Sequence, residues 1–288
     1  MTSPPLPSHV LALIREALRE DVGDGDITAR CFVAAERQAQ AAILAKEPGI
    51  VAGVPVALAV FTAFDPAITA TAQRRDGDSV QRGDTVITLT GPARAILTAE
   101  RTALNFLQRL SGIATHTRRF VDAVAGTRAQ ILDTRKTTPG WRWLEKQAVR
   151  AGGGTNHRAG LYDMVMVKDN HLAVAGDLAA LQAGMDRARA EQPGIRIELE
   201  ADTVDQVRRF LTLRGVDIIM LDNMPLSDMR DCVALARGTG VQLEASGGIT
   251  LERLPDIAAT GVDFISSGAL THSVKALDLS LDFAGTAL

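Results

Sequence analysis

Between Ile131 and His171 the chain gathers cations and glycines at the ends of two short apolar runs. Ile131-Leu132 opens into Asp133-Thr134-Arg135-Lys136, and Met164-Val165-Met166-Val167 opens into Lys168-Asp169-Asn170-His171. Between them stand Gly152-Gly153-Gly154 and Asn156-His157-Arg158. Cations held this close repel one another unless an anion sits among them. Arginine meets a carboxylate with two parallel donors, and lysine acts as a point charge toward phosphate. The cluster reads as a site for a ligand with several negative charges, contacted by Arg135, Lys136, His157, Arg158 and Lys168. Taken one at a time, each could be an ordinary surface residue, and Gly152 could be a helix C-cap. Trp141 and Trp143 read as packing.

Two later segments offer a different chemistry. Ser246-Gly247-Gly248-Ile249-Thr250 and Ser266-Ser267-Gly268-Ala269-Leu270-Thr271 each follow an apolar run and open a helical pattern. Glycine lets backbone N–H groups approach a phosphate, and a helix N-terminus adds partial positive charge. Glu200 and Asp222 close two further apolar runs. Such carboxylates suit ribose hydroxyls, or Mg²⁺ held directly or through water and diphosphate. The structural alternative is a pair of ionic locks to neighbouring lysines. Glu198 lies on the same side of its strand as Glu200 and is a deeper candidate for the same role. Asp21, Asp24 and Asp26 lack the spacing and closing glutamate of a calcium loop.

Positioning these groups calls for strands that end together. Candidate strands are Gln130–Asp133, Val165–Lys168, Arg196–Glu200, Ile218–Asp222, Val241–Glu244 and Phe264–Ser267. Helical patterns separate them at Gly140–Arg150, Leu178–Arg189, Val204–Leu213, Leu226–Ala236 and Leu251–Thr260. This alternation predicts a parallel sheet, either a (β/α) barrel or a doubly wound sheet. A barrel brings every strand's C-terminal end to one face, whereas a doubly wound sheet gathers only those near its switch point. Functional groups follow each of the six runs, which favours a barrel, incomplete at this strand number.

The preceding half has another texture. A helix is expected over Val10–Leu18, then the acidic turn Asp21–Asp26. From Gln38 to Thr90 short strands bounded by Asp76-Gly77-Asp78 and Arg82-Gly83-Asp84 predict a small, mostly antiparallel α/β layer, with Val54–Phe61 as a buried helix. Thr98 reads as the N-cap of a helix striped by Leu104, Leu107 and Leu110, and a second helix covers His116–Val124. Composition shifts near Gly126, and Ala276–Leu288 can return to the first layer.

Bulk properties exclude several classes. At 288 residues and 46% hydrophobic the chain can bury an ample core. A net charge of −3 means anion affinity must be local. Aromatics at 4%, with no basic tract, argue against nucleic acid. Cys31 and Cys232 have no metal or redox spacing and read as buried free thiols in a reducing compartment. With no signal-like start and no membrane-length apolar run, the expectation is a cytoplasmic enzyme without a membrane partner.

Across nearly its whole length the chain resembles the quinolinate phosphoribosyltransferase family. The resemblance rests on Glu20–Thr28, Glu100–Asn105, Asp133–Gly140, Gly152–Arg158, Lys168–His171, Leu221–Asn223 and Gly268–Ser273. Trp141, where the family more often has an aliphatic residue, and Ala159 are small departures. The resemblance implies an N-terminal α/β sandwich-like domain, residues 1–112 completed by about 275–288, and an open α/β barrel over 113–274. It implies a pentosyltransferase of NAD biosynthesis that joins quinolinate to 5-phosphoribosyl 1-diphosphate (PRPP) with Mg²⁺, giving nicotinate mononucleotide, diphosphate and CO₂. Lys136, Lys168, Glu200 and Asp222 would be catalytic. Arg101, Thr134, Arg135, Lys136, His157, Arg158 and Lys168 would bind quinolinate. Lys136, Lys168, Glu200, Asp222, Ser246, Gly247, Gly248, Ser267, Gly268, Ala269 and His272 would bind PRPP, with Glu200 and Asp222 toward the metal. It further implies a homodimer or an assembly of dimers up to a hexamer, with Arg101 completing the neighbour's site. Competing readings are a relative of the same fold with another substrate (a molybdate-transport-associated homologue or a nicotinate-using enzyme), a Schiff-base aldolase using Lys136 or Lys168, and a non-catalytic phosphosugar-binding protein.

Overall fold

The computed structural model describes residues 5–168 and 177–284, so Asp169, Asn170 and His171 lie outside the described residues. The chain divides into two compact units. The first comprises residues 1–118, 144–153 and 274–288, and the second comprises residues 119–143 and 154–273.

The first unit is built on an antiparallel sheet. Its strands are β1 (Gln38–Ala45), β3 (Thr69–Ala72), β5 (Thr85–Pro92) and β12 (Leu279–Phe283), in the order β12-β1-β5-β3. β12 pairs with β1 from Ala41↔Phe283 to Ala45↔Leu279, which covers an edge that β1 would otherwise present to solvent. The short strands β2 (Gly49–Ile50) and β4 (Ser79–Val80) form a separate ribbon. Helices α1 (Ser8–Val22) and α3 (Val54–Phe64) complete the layer, and Pro55 sits in the first turn of α3, where its missing N–H costs nothing. Ile43, Ile87, Leu89, Phe61, Leu104, Phe106, Leu107 and Leu110 are almost completely buried. Each such side chain contributes about 1.5–3 kcal/mol relative to exposure.

Two helical expectations are corrected. Thr98 is not an N-cap, and the two expected helices are one, α4, running from Ala93 to Ala123. The Thr98 hydroxyl donates instead to the Arg94 carbonyl at 2.8 Å, the back-bond of a mid-helix threonine. Between the two expected helices the chain stays helical, and the Ser111 hydroxyl accepts from the Ala52 N–H at 3.0 Å. A Cβ on Gly112 would lie 3.0 Å from Ala276 Cα, so its glycine serves chain packing and not a turn. The acidic turn also hides a short helix, α2 (Ile27–Phe32), capped by Asp26, whose carboxylate accepts from the Ala29 N–H at 2.8 Å. Cys31 lies on α2 and is exposed, contrary to the expectation for both thiols, because α2 buries only Ala29; Cys232 is buried.

The second unit carries six parallel strands: β6 (Gln130–Leu132), β7 (Val165–Val167), β8 (Ile197–Ala201), β9 (Ile218–Asp222), β10 (Gln242–Ser246) and β11 (Phe264–Ser266). Their order is β6-β11-β10-β9-β8-β7. Successive strands are neighbours except that β6 joins β11, as in a barrel left open between β6 and β7. On the open side of β6, Thr155 forms an isolated bridge with Leu132. The helix α5 (Arg142–Ala151) starts in the second unit and counts mostly with the first, and the second unit's connecting segments include α6 (Leu178–Glu191), α7 (Val204–Phe210) and α8 (Leu226–Ala236). Leu132, Met164, Ile218 and Phe264 form a buried cluster, with Met166 against it. The expected helix over Leu251–Thr260 is shorter: a 3₁₀ turn, Leu251–Arg253, and then α9, Leu254–Ala258, before Gly261 with its φ of 94°. No helix among the described residues is long and apolar enough to cross a membrane.

Candidate active site at the open end of the barrel

Parallel registration brings the strand ends level. Ser246 pairs with Asp222, Glu200 and Glu244 both pair with Met220, and Ser266 pairs with Leu132. The groups that follow these positions surround a cavity of about 630 Å³ within the second unit. Thr134, Arg135, Lys136, His157, Arg158 and Lys168 line it from one set of segments. Asp222, Ser246, Gly247, Gly248, Ser267, Gly268, Ala269 and His272 line it from the others. Three residues of the sequence reading, Arg101, Glu198 and Glu200, are absent from the lining. Arg101 lies in the first unit, exposed on α4, and Glu200 is buried at the end of β8.

The cationic side is held from beneath by Asp133. This residue is fully buried just beyond β6; one carboxylate oxygen accepts from the His157 N–H at 2.8 Å and the other from the Asn156 amide at 2.6 Å. Thr134 accepts the Lys136 N–H at 3.0 Å, and Thr271 donates to the Lys136 carbonyl at 2.7 Å. Lys136 itself is exposed, so the loop is tied by its backbone while the ammonium stays available. Arg158 reaches the Met164 carbonyl at 3.4 Å. Burial and the charge of Arg135 hold its guanidinium below its usual basicity.

His157 does not present a ring nitrogen to a ligand. Its Nδ1 lies 2.7 Å from the Arg158 N–H, and its Nε2 lies 3.0 Å from Glu198 and 3.3 Å from Glu244. Both glutamates are fully buried, one in β8 and one in β10. Burial lowers the imidazole's basicity, but the two carboxylates outweigh it and push the pKa up to about 9. The backbone N–H at Nδ1 favours a ring with its proton on Nε2, toward the glutamates. Burial and the charge of Glu244 also raise Glu198, so the three groups hold their protons as one coupled cluster. His157 lines the cavity with both ring nitrogens turned to protein partners. The three groups also have the spacing of a metal triad.

Glu198 lies toward the ring, as its side of the strand requires, and Glu200 pairs with Lys168 at 2.6 Å. The glycine loops follow strict steric limits. A Cβ on Gly247, at φ 85°, would overlap the amide of Asn223, which is itself left-handed at φ 53° and donates to Asp222 at 2.8 Å. A Cβ on Gly268 would meet Lys136 Cδ at 2.7 Å. The helices that follow these loops are very short: a 3₁₀ turn in one case and α10, Ala269–His272, in the other. Little helix dipole accumulates there, so loop N–H groups and Lys136 must carry most of any phosphate grip.

Asp133, Asn223, Glu244 and Arg142 were not singled out as functional by residue type. The first and third end or occupy apolar runs where charge is costly, a signal that a buried role was in play. Arg142 resembles any cation in the first turn of a helix. In all, the site joins several cations, two phosphate-sized glycine loops and one cavity-facing aspartate, a combination suited to a di-anionic ring and a phosphorylated sugar.

Known proteins give the same indication. Residues 113–282 match the family model described as the C-terminal domain of quinolinate phosphoribosyl transferase, and residues 26–111 match that for its N-terminal domain. The chain is 45% identical, over 94% of its own length and 92% of the other's, to a Bacillus subtilis (strain 168) protein named probable nicotinate-nucleotide pyrophosphorylase (carboxylating). A chloroplastic Arabidopsis thaliana protein of that name is 44% identical over 96% of this chain and 84% of its own. The solved nicotinate-nucleotide pyrophosphorylase of Francisella tularensis superposes with a TM-score of 0.89 at 40% identity, covering 97% of this chain and 98% of the other. The chain belongs to the quinolinate phosphoribosyltransferase family.

Proposed function

We propose that the protein transfers the phosphoribosyl group of PRPP to the ring nitrogen of quinolinate and releases the 2-carboxylate, giving nicotinate mononucleotide, diphosphate and CO₂. The observation that carries this reading is the convergence of Arg135, Lys136, Arg158 and Lys168 on one cavity with the two glycine loops. A dicarboxylate uses that many cations, whereas a monocarboxylate leaves some facing one another without an anion.

Arg135 and Arg158 clamp the carboxylates, with His157 beneath them. Lys136 and Lys168 stand between the ring and the diphosphate. Gly247, Gly248, Gly268 and Ala269 offer backbone N–H groups to the 5-phosphate, and Asp222 holds a ribose hydroxyl. As the C1–diphosphate bond lengthens, positive charge grows on the ribose and negative charge on the leaving group. Fixed cations stabilise the second while the clamp holds the nitrogen in line. The new pyridinium then accepts the electron pair of the breaking C2–carboxylate bond, and a proton replaces CO₂ at C2.

Mg²⁺ fits the donor set in part. Asp222 lines the cavity and is a hard oxygen ligand of the kind Mg²⁺ uses together with phosphate oxygens. Glu200 would serve only after release from Lys168. When bound, Mg²⁺ would neutralise charge on the diphosphate. A homodimer, in which Arg101 completes the neighbour's site, is part of the same proposal.

The test uses quinolinate labelled in the 2-carboxylate. Labelled CO₂ should appear in a one-to-one ratio with nicotinate mononucleotide and should require PRPP. Nucleotide formed without labelled CO₂ would overturn the proposed chemistry.

A further inference from the structure

We propose that Arg142 is a positioning residue whose guanidinium ties the loop carrying Arg135 and Lys136 to the segment carrying His157 and Arg158. Its Nε donates to Thr137 Oγ1 at 3.1 Å, and its Nη1 donates to the Ala159 carbonyl at 3.0 Å. Its Nη2 reaches the Arg135 carbonyl at a longer 3.5 Å. Arg142 is half-buried and is not part of the cavity lining.

The need for such a tie follows from charge. Arg135, Lys136 and Arg158 face one cavity, and burial together with the charge of Arg135 disfavours the charged form of Arg158. Without an anion these groups push their segments apart. Asp133 fastens the same two segments at one point, through Asn156 and the His157 N–H. Arg142 adds a second fastening further along each, at Arg135–Thr137 and at Ala159. Two attachments fix orientation where one leaves a pivot.

The residue type matters. A carboxylate in this place would pair with the cavity cations and neutralise the charge the ligand needs. Arginine instead spends its planar donors on neutral carbonyl and hydroxyl oxygens, so Arg135 and Arg158 keep their charge for the ligand. Lysine has one compact donor group and cannot reach three acceptors in this fork. Holding the clamp in its bound geometry lowers the ordering cost that a dicarboxylate would otherwise meet.

This inference rests on the proposed function for its kinetic readout, so the experiment has a second readout that does not. The variants Arg142→Ala, Arg142→Lys and Thr137→Val are compared with wild type in the full chain. We expect Arg142→Ala to raise the KM for quinolinate about 10–100-fold, the scale of a misplaced binding group. The PRPP KM should rise several-fold less than that for quinolinate, because the loop carrying Lys136 loosens while the two glycine loops, which Arg142 does not touch, still hold the phosphate. Arg142→Lys should recover little, Thr137→Val should show a smaller rise of the same kind, and millimolar guanidinium should partly restore Arg142→Ala where ammonium does not. Hydrogen exchange should show residues 134–137 and 157–160 losing protection together. An unchanged quinolinate KM with unchanged protection would overturn the inference, as would equal loss for both substrates with a general loss of protection. Failure of wild type to use quinolinate would count against the proposed function, and the exchange readout would then decide the tie by itself. Should Arg142→Ala not fold, Thr137→Val carries both readouts.

Discussion

Among single residues, Lys136 is the one that the proposed reaction uses most directly. It is exposed, its loop is held by backbone contacts to Thr134 and Thr271, and its side chain packs against Gly268. Lys136→Ala should therefore lower kcat by at least about 10³-fold, the scale of a lost electrostatic contact to a transition state. Its melting temperature should stay within about 2 °C of wild type, because no buried contact is lost. Near-normal turnover would remove Lys136 from the mechanism. The His157 cluster makes a pH prediction. Its folded pKa of about 9 lies above the unfolded value of 6.5, so its stabilisation is complete below about pH 6.5 and fades as pH rises through 9. Glu244→Gln removes one of the two carboxylates that hold this proton. The variant should be less stable than wild type at pH 6, and the gap should close or reverse by pH 10, where two buried anions lose their cation. A gap independent of pH in thermal melts would contradict a proton held between His157 and the two carboxylates. The cavity cations were readable from the sequence because charge follows apolar runs abruptly. Glu198 and Glu244 were harder to place, since only the fold shows that both reach one histidine across β9.

At the scale of elements, parallel strands were legible because both of their faces are buried and they read as continuous apolar runs. Helix boundaries were less legible. Thr98 looks like a start, yet inside α4 its hydroxyl bonds back to the Arg94 carbonyl, and further along the same helix Ser111 takes up the Ala52 N–H. The strand β12 allows a direct test. It supplies buried Leu279 and Leu281 and closes the edge of β1. Ending the chain at Asp278 removes two core side chains, together about 3–6 kcal/mol, and bares a strand edge. The truncated protein should melt at least about 10 °C lower, or aggregate during expression, as followed by light scattering. A monodisperse product with an unchanged melting point would show that β12 is not needed to complete the antiparallel sheet.

For the molecule as a whole, two units divide the work. One is an antiparallel layer finished by the chain's own C-terminal strand, and the other is a six-stranded open barrel that lines the cavity. The open barrel follows from a strand order in which β6 joins β11 and no described strand closes the gap to β7. Whole-chain similarity places this arrangement in a family of phosphoribosyl transferases. Substrate choice among pyridines is the central claim, and it depends on how many carboxylates the cavity cations require. The decisive measurement incubates the purified protein with PRPP and Mg²⁺ and with quinolinate, nicotinate or nicotinamide in parallel. The account predicts nicotinate mononucleotide from quinolinate alone, since only a dicarboxylate engages Arg135 and Arg158 together. Comparable turnover of nicotinate would contradict it: the phosphoribosyl site would stand, and the dicarboxylate clamp would not.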